Sequence, residues 1–336
     1  MNHFIVGNSR SGTTMLLKIL GRHKSVRAVK ELHFFEWLWS PADDGRTVPR
    51  EEALAIFARL AAIQRDGRYT NTNWRSYIEE AEEALPVGGP GYSRVDVYRT
   101  FLACEAASNG KQIPCEKTPQ NVFYIGEILR EFPECRIINM VRDPRDVLLS
   151  QKKKWKMRGM GALYNTRFET FRLWANYHPL VISRLWNSSI QAYLKYADDP
   201  RISTVRFEDL VASPERTVSG ICDFLGLEYD PGMLDIPFSA SSFAADDIGS
   251  RGIRRDTAER SLRNGGLSPA ETVICQETCG SLMGRFEYSP REVPRPGWRL
   301  VSSRLSLPFK LSLSLFLNLH RMRSVADTVR RRLGRT

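Results

Sequence analysis

The residues with the clearest chemical meaning lie near the start of the chain. Phe4-Ile5-Val6 runs into Gly7-Asn8-Ser9-Arg10-Ser11-Gly12-Thr13-Thr14, and the apolar-periodic Met15–Leu20 follows. A strand, a glycine-bearing turn and a helix start make an anion cradle, because free backbone N–H groups and the positive end of the helix meet at one point. The Gly7-x4-Gly12 spacing matches a Walker A loop, but Thr13 stands where that motif has Lys, and Arg10 inside the loop supplies the charge. A triphosphate enzyme uses that Lys on the β- and γ-phosphates and holds Mg²⁺ with the next hydroxyl. This loop suits a phosphate-bearing ligand but lacks the standard means of handling a triphosphate with metal. An N-capped helix after an ordinary βα turn accounts for the same Ser and Thr residues.

Ligands of open α/β sheets bind outside the carboxyl ends of the strands, so residues just past each apolar run belong to one set. They are Arg10, then Lys30-Glu31-Leu32-His33-Phe34-Phe35-Glu36, then Glu116-Lys117-Thr118-Pro119, then Arg142-Asp143-Pro144-Arg145-Asp146. Arg10, Glu31, His33, Lys117 and Arg142 are therefore expected to converge on one crevice. Asp143-Pro144 reads as a helix start, with Asp as cap and Pro at the first helical position. Arg142 then stands at a helix N-terminus with Ser150 about two turns along. This is expected to be a second anion site, separate from the first. Two phosphate sites on one sheet suggest a nucleotide bearing phosphates at both ends.

Together these segments resemble the sulfotransferases that use 3′-phosphoadenosine-5′-phosphosulfate (PAPS). Arg10-Ser11-Gly12-Thr13-Thr14 resembles their 5′-phosphosulfate loop, and Arg136 through Pro144 with Ser150 resembles their 3′-phosphate site. Glu31-Leu32-His33-Phe34-Phe35 is similar to the E-x-H-F-F segment of heparan-sulfate O-sulfotransferases, and the Arg10–Glu31 offset to that of tyrosylprotein sulfotransferases. Glu116-Lys117-Thr118-Pro119 is similar to the segment that supplies a catalytic lysine in both groups, and Arg206-Phe207-Glu208-Asp209-Leu210 to a downstream strand end. Ser241-Ser242-Phe243 and Leu267-Ser268-Pro269 resemble the C-terminal region. Ser9 departs from a frequent Pro, Phe207 from a frequent Tyr, and no Gly/Lys-rich clamping loop is evident. Arg251, Arg254 and Arg263 are the candidates to replace it.

The resemblance implies PAPS as co-substrate, no required metal, and O-sulfation of an acceptor. Ser11, Gly12, Thr13 and Thr14 with Arg10 would hold the phosphosulfate, and Arg142 with Ser150 the 3′-phosphate. Glu31 would be the general base, tuned by His33 and Lys30, with Lys117 and Arg10 stabilising the leaving phosphate. Asp146 and Glu208 read as structural carboxylates. The expected acceptor is a small molecule, glycan or glycolipid, with a tyrosyl phenol also open. Two other readings stand beside this one: a P-loop kinase, which lacks its Lys at Thr13, and a non-catalytic, membrane-associated nucleotide-binding scaffold.

The elements that must position these groups follow from the apolar pattern of the 336 residues. Phe4–Gly7, Ser25–Val29, Gln112–Cys115, Arg136–Val141 and Ile202–Phe207 read as buried strands, alternating with helix-periodic segments. The expected fold is α/β, a P-loop-type central parallel sheet flanked by helices in a single domain. That domain is expected to span residues 1–290, with a Pro-rich joint and basic tail at 291–336. Trp37 to Gly91 reads as a helical insertion shaping the acceptor side. Met1-Asn2-His3 leads straight into a strand, so a signal peptide is not expected. The six cysteines form no CxxC pair, and reduced thiols in the cytoplasm fit best.

The net charge is +11, yet Arg295–Thr336 holds ten Lys or Arg against one acidic residue. The charge belongs to the tail, a distribution unlike that of a nucleic-acid binder. From Leu305 to Leu319 every second residue is Leu or Phe. Taken literally that is strand periodicity, and it is also compatible with a helix in a bilayer interface, with Arg321, Arg323 and Arg330–Arg332 on anionic headgroups. The expectations are peripheral membrane contact at the inner face or packing on protein; the sequence does not give the oligomeric state.

Overall fold

Each apolar run forms a strand: β1 (His3–Gly7), β2 (Val26–Val29), β3 (Ile113–Lys117), β4 (Arg136–Val141) and β5 (Ile202–Arg206). The computed structural model describes residues 1–43, 45–67, 73–87, 91–154, 167–237, 251–253, 266–295 and 297–318. The strands pair in parallel in the order β2-β3-β1-β4-β5. Both faces of the sheet are covered, so successive strand residues enter two different cores. Phe4 and Val6 join one apolar cluster and Ile5 joins the other.

In chain order, α1 (Thr13–Leu20) follows β1 and α2 (Phe34–Trp37) follows β2. Then α3 (Arg50–Asp66), α4 (Ile78–Ala84) and α5 (Arg94–Ala107) lead to β3, and α6 (Ile125–Glu131) leads to β4. Next α7 (Pro144–Lys152), α8 (Arg167–Ala175) and α9 (Pro179–Leu194) lead to β5. The remaining helices are α10 (Phe207–Ala212), α11 (Pro214–Leu225), α12 (Pro269–Met283), α13 (Gly297–Leu305) and α14 (Leu307–Asn318). Leu16, Leu210 and Ile221 place α1, α10 and α11 on one face of the sheet. Phe57, Phe101, Ile128, Trp186 and Cys275 place α3, α5, α6, α9 and α12 on the other. The α/β architecture is the one the alternating pattern predicts.

From the central β1 the chain steps outward to β2 on one side, and after β3 it crosses to β4 on the other. The boundary between β1 and β4 is the switch point at which doubly wound sheets open a crevice. The loops after β1 and β4 are therefore neighbours.

The segment from Trp37 to Gly91 is helical as expected, and α3 buries Leu54, Phe57 and Leu60 in the main core, where Phe57 meets Phe101 of α5 edge-on. Of the two readings open for the alternating Leu pattern of the tail, the helix is the one that forms, as α13 and α14. Cys275 and Cys279 are buried free thiols on α12.

Candidate active site

The loop after β1 is tight because Gly7 and Gly12 adopt positive φ, where a side chain is strained. A Cβ on Gly12 would lie 2.3 Å from the ring of Phe207. Arg10 has φ 78° without being glycine. Such geometry persists only where the surroundings enforce it, and it recurs at ligand clamps. Thr13 opens α1, and no side chain caps its N-terminus at Gly12. The Ser11 hydroxyl is fully buried with no hydrogen-bond partner. An orphaned buried donor beside a helix start is a costly feature that an anion would relieve.

The same loop gathers cations. Arg10 Nε donates to Ser150 Oγ at 2.9 Å, and Arg142 Nη1 donates to the Arg10 carbonyl at 3.4 Å. Burial and the neighbouring Arg142 bring the Arg10 guanidinium down to about 10, still charged at neutral pH. Two like charges held this close favour an anion between them. The loop after β1 and the start of α7 thus line one crevice, because β1 and β4 are adjacent strands. Arg142 also pairs with Asp146 at 3.4 Å and lies over the Phe207 ring at 4.1 Å from its centroid. Asp146 therefore belongs to the charge balance of the site and is no remote structural carboxylate.

The helix start at Asp143-Pro144 forms as expected: the Asp143 side chain accepts from the Arg145 backbone N–H at 2.8 Å. Glu208 fixes that turn by accepting from the Asp143 N–H at 3.0 Å and from the Tyr288 hydroxyl at 2.8 Å.

On the other side of the loop, Lys117 ends β3 almost fully buried. Its Nζ ion-pairs with Glu31 Oε1 and donates to Thr14 Oγ1 at 3.2 Å. The Glu31 side chain stays 40% exposed, so it can meet a solute. Burial would raise its carboxyl, but the His33 hydrogen bond and the charge and hydrogen bond of Lys117 outweigh this. They hold it well below the usual carboxylate range.

His33, in the left-handed region at φ 53°, is completely buried. Its Nε2 lies 3.4 Å from Glu31 and its Nδ1 2.8 Å from Glu36, while its ring stacks on Trp37. Through these contacts it links Glu31 to Glu36.

Glu116 belongs to the site although its sequence position gave no sign of it. This carboxylate is buried and accepts from the Leu32 N–H at 3.2 Å, from Asn121 Nδ2 at 2.9 Å and from the Thr118 hydroxyl. It ties the loop carrying Glu31 to the turn that follows Lys117. Burial pushes it up to about 7 despite those donors. Its position one residue from Lys117 was visible, but the strand alternation that points it away from Lys117 carried no signal of its partners.

A cavity of about 220 Å³ adjoins the loop, lined by Asn8, Ser9, Glu36, Gln120, Gln151 and Ser189 with apolar Phe123, Ile182 and Leu185. Gln120 Oε1 and Ser189 Oγ are buried there without partners. Of the three arginines expected to replace the clamping loop, Arg251 is engaged by Asp235 at 2.7 Å. Arg254 and Arg263 lie outside the described residues, as does Ser241-Ser242-Phe243.

Comparison with known proteins places the chain in a family. Residues 3–231 match the sequence model of the Sulfotransferase family. The chain belongs to that family, and the resemblance read from its motifs is borne out. A Caenorhabditis briggsae protein named as a protein-tyrosine sulfotransferase is 26% identical over 236 residues, 69% of this chain and 67% of its own. Mouse Sulfotransferase 2A1 is 31% identical over 116 residues, which cover 33% of this chain and 39% of the mouse protein. The second match thus spans well under half of that relative. The sulfotransferase domain of the Synechococcus PCC 7002 olefin synthase superposes with a TM-score of 0.53 at 18% identity, covering 88% of this chain and 96% of the domain. That likeness concerns the fold. The protein is a sulfotransferase, an enzyme of sulfuryl transfer.

Proposed function

We propose that this enzyme moves the sulfuryl group of PAPS to a hydroxyl of a sugar-like or glycolipid acceptor in the cytoplasm. One observation carries the reading: Lys117 joins Glu31 to Thr14, so an acid–base group and the phosphate loop share a single cation. PAPS supplies an activated sulfuryl group on its 5′-phosphate and a distinguishing 3′-phosphate. Arg10, the Ser11 hydroxyl and the N–H groups of Gly12, Thr13 and Thr14 are the residues to hold the phosphosulfate. Arg142 and Ser150 are those to hold the 3′-phosphate, and Phe207 backs Arg142 with its ring face.

In the transfer, Glu31 takes the proton of the acceptor hydroxyl as that oxygen bonds to sulfur and the bond from sulfur to the phosphate oxygen breaks. Arg10 and Lys117 stabilise the charge left on the phosphate. Whatever share of its charge Lys117 gives to the phosphosulfate is withdrawn from Glu31. The carboxylate then gains proton affinity only when the donor is bound. His33 acts as a positioning residue through Glu31. Fixed donors serve where a triphosphate enzyme needs a metal, and no step here calls for one.

The cavity beside Ser9 supports this choice of acceptor class. At about 220 Å³ it is smaller than the ~300–1,000 Å³ of drug-sized sites, so it takes one ring or head group end-on. The unpartnered Gln120 and Ser189 oxygens suit a ligand rich in hydroxyls.

Thermal shift separates the reading from a kinase. Adenosine 3′,5′-bisphosphate should stabilise the protein strongly, and ATP with Mg²⁺ only weakly. The reverse order would point to a nucleotide kinase.

A further inference from the structure

Eleven large apolar side chains are well exposed among the described residues, and eight of them lie on three adjoining helices. They are Phe168, Phe171 and Trp174 on α8, Trp298, Val301 and Leu305 on α13, and Phe309 and Phe316 on α14. Spacings of three, four and seven gather them in stripes along the helices. The helices are contiguous. Lys310 Nζ sits 3.0 Å from the Trp174 ring centroid, and Arg172 Nη1 donates to Asn318 Oδ1 at 2.6 Å. Asn318 and Ser314 both donate to Asn176 Oδ1. Scattered apolar residues on a surface need no explanation, but a concentration of this kind marks a docking face.

We propose that α8, α13 and α14 form a platform that docks on an anionic lipid bilayer. Charge selects this occupant. Helices α13 and α14 carry Arg299, Arg304 and Lys310 and no acidic residue, and residues 319–336 add six arginines against one aspartate. A second copy of the chain would bring two such basic segments together, whereas anionic headgroups complement them. The apolar stripe supplies the side chains for the acyl boundary.

The platform lies on the membrane and does not cross it. Gly297–Asn318 is 22 residues long and apolar enough to span a bilayer. However, it is broken into two helices at Ser306, and the buried Ser314 and Asn318 pin α14 along the domain. The platform also neighbours the cavity. His178 Nε2 contacts the Ser303 carbonyl of α13 at 2.9 Å, and Ile182, one turn further along α9, lines the cavity. A membrane-borne acceptor would thus have its head group near Glu36 and Ser9.

The test is co-sedimentation of the full chain with phosphatidylcholine vesicles, with and without phosphatidylglycerol. Binding is expected only with phosphatidylglycerol and should weaken as salt rises. Replacing three exposed side chains together, Trp298→Ser, Phe309→Ser and Phe316→Ser, should weaken it about tenfold or more. Unchanged binding of adenosine 3′,5′-bisphosphate by that variant would show that the domain is intact, independently of catalysis. No sedimentation with phosphatidylglycerol at low salt overturns the proposal, and so does undiminished sedimentation of the triple variant. A dimer in light scattering that the triple variant converts to monomer, with no vesicle binding, overturns it in favour of a second copy.

Discussion

Lys117 Nζ bridges Glu31 and Thr14, so one buried ammonium couples the loop after β2 to the phosphate loop after β1. Replacing Glu31 by Gln removes a base at almost constant volume. Turnover should fall by ~10²–10⁴, while adenosine 3′,5′-bisphosphate binds as before. Steady-state rates beside calorimetric titration make the comparison, and near-normal turnover would place the base elsewhere.

The same pair sets a pH dependence. Glu31 is held well below the usual carboxylate range, so it is ionised in the free enzyme through ordinary pH. The acid limb of kcat/KM should therefore lie below the ordinary glutamate value of ~4.3. Lys117→Met removes the ion pair and its hydrogen bond, the Glu31 carboxyl rises, and the acid limb should move to higher pH as kcat falls. A lower kcat with an unmoved limb would mean that Lys117 acts on the phosphate alone.

Glu116 predicts a stability effect of opposite sign. Its folded value of about 7 lies above that of an unfolded glutamate. The folded state then binds more protons between ~4.3 and about 7, and stability from this group is lost as pH rises across that window. Glu116→Gln should flatten the fall of Tm between these limits. It should also loosen the Glu31 and Lys117 loops, lowering kcat more than nucleotide affinity. A Tm profile parallel to that of the parent protein would show that Glu116 does not titrate there.

Much of this was legible in the sequence. All five strands, the helix start at Asp143-Pro144 and the convergence of Arg10, Glu31, Lys117 and Arg142 follow from apolar runs and from where strands end. Strand order was not legible, because parallel partners are fixed by tertiary packing. The contact between Arg10 and Ser150 was therefore hidden. The tail left strand and helix open for a different reason. Leu and Phe at every second position also put apolar groups all around a helix, so α14 can both pack and expose them. Glu116 and Asp146 looked like ordinary charges until their partners appeared.

Arg142→Ala tests the reading of the second phosphate. A charge-assisted contact to a partly buried phosphate is worth ~1.5–3 kcal/mol. Affinity for adenosine 3′,5′-bisphosphate should drop about tenfold or more, and affinity for adenosine 5′-phosphosulfate, which lacks the 3′-phosphate, far less. Equal losses would assign Arg142 to the other end of the nucleotide.

The most direct test of sulfuryl transfer is to incubate ³⁵S-labelled PAPS with the full chain and a membrane-containing cell extract, then follow the label by mass spectrometry. Label is expected in an acceptor carrying a sulfate ester. Transfer should be absent with Glu31→Gln at matched nucleotide occupancy. Label that stays on the nucleotide or appears only as free sulfate, or equal transfer by Glu31→Gln, would contradict it.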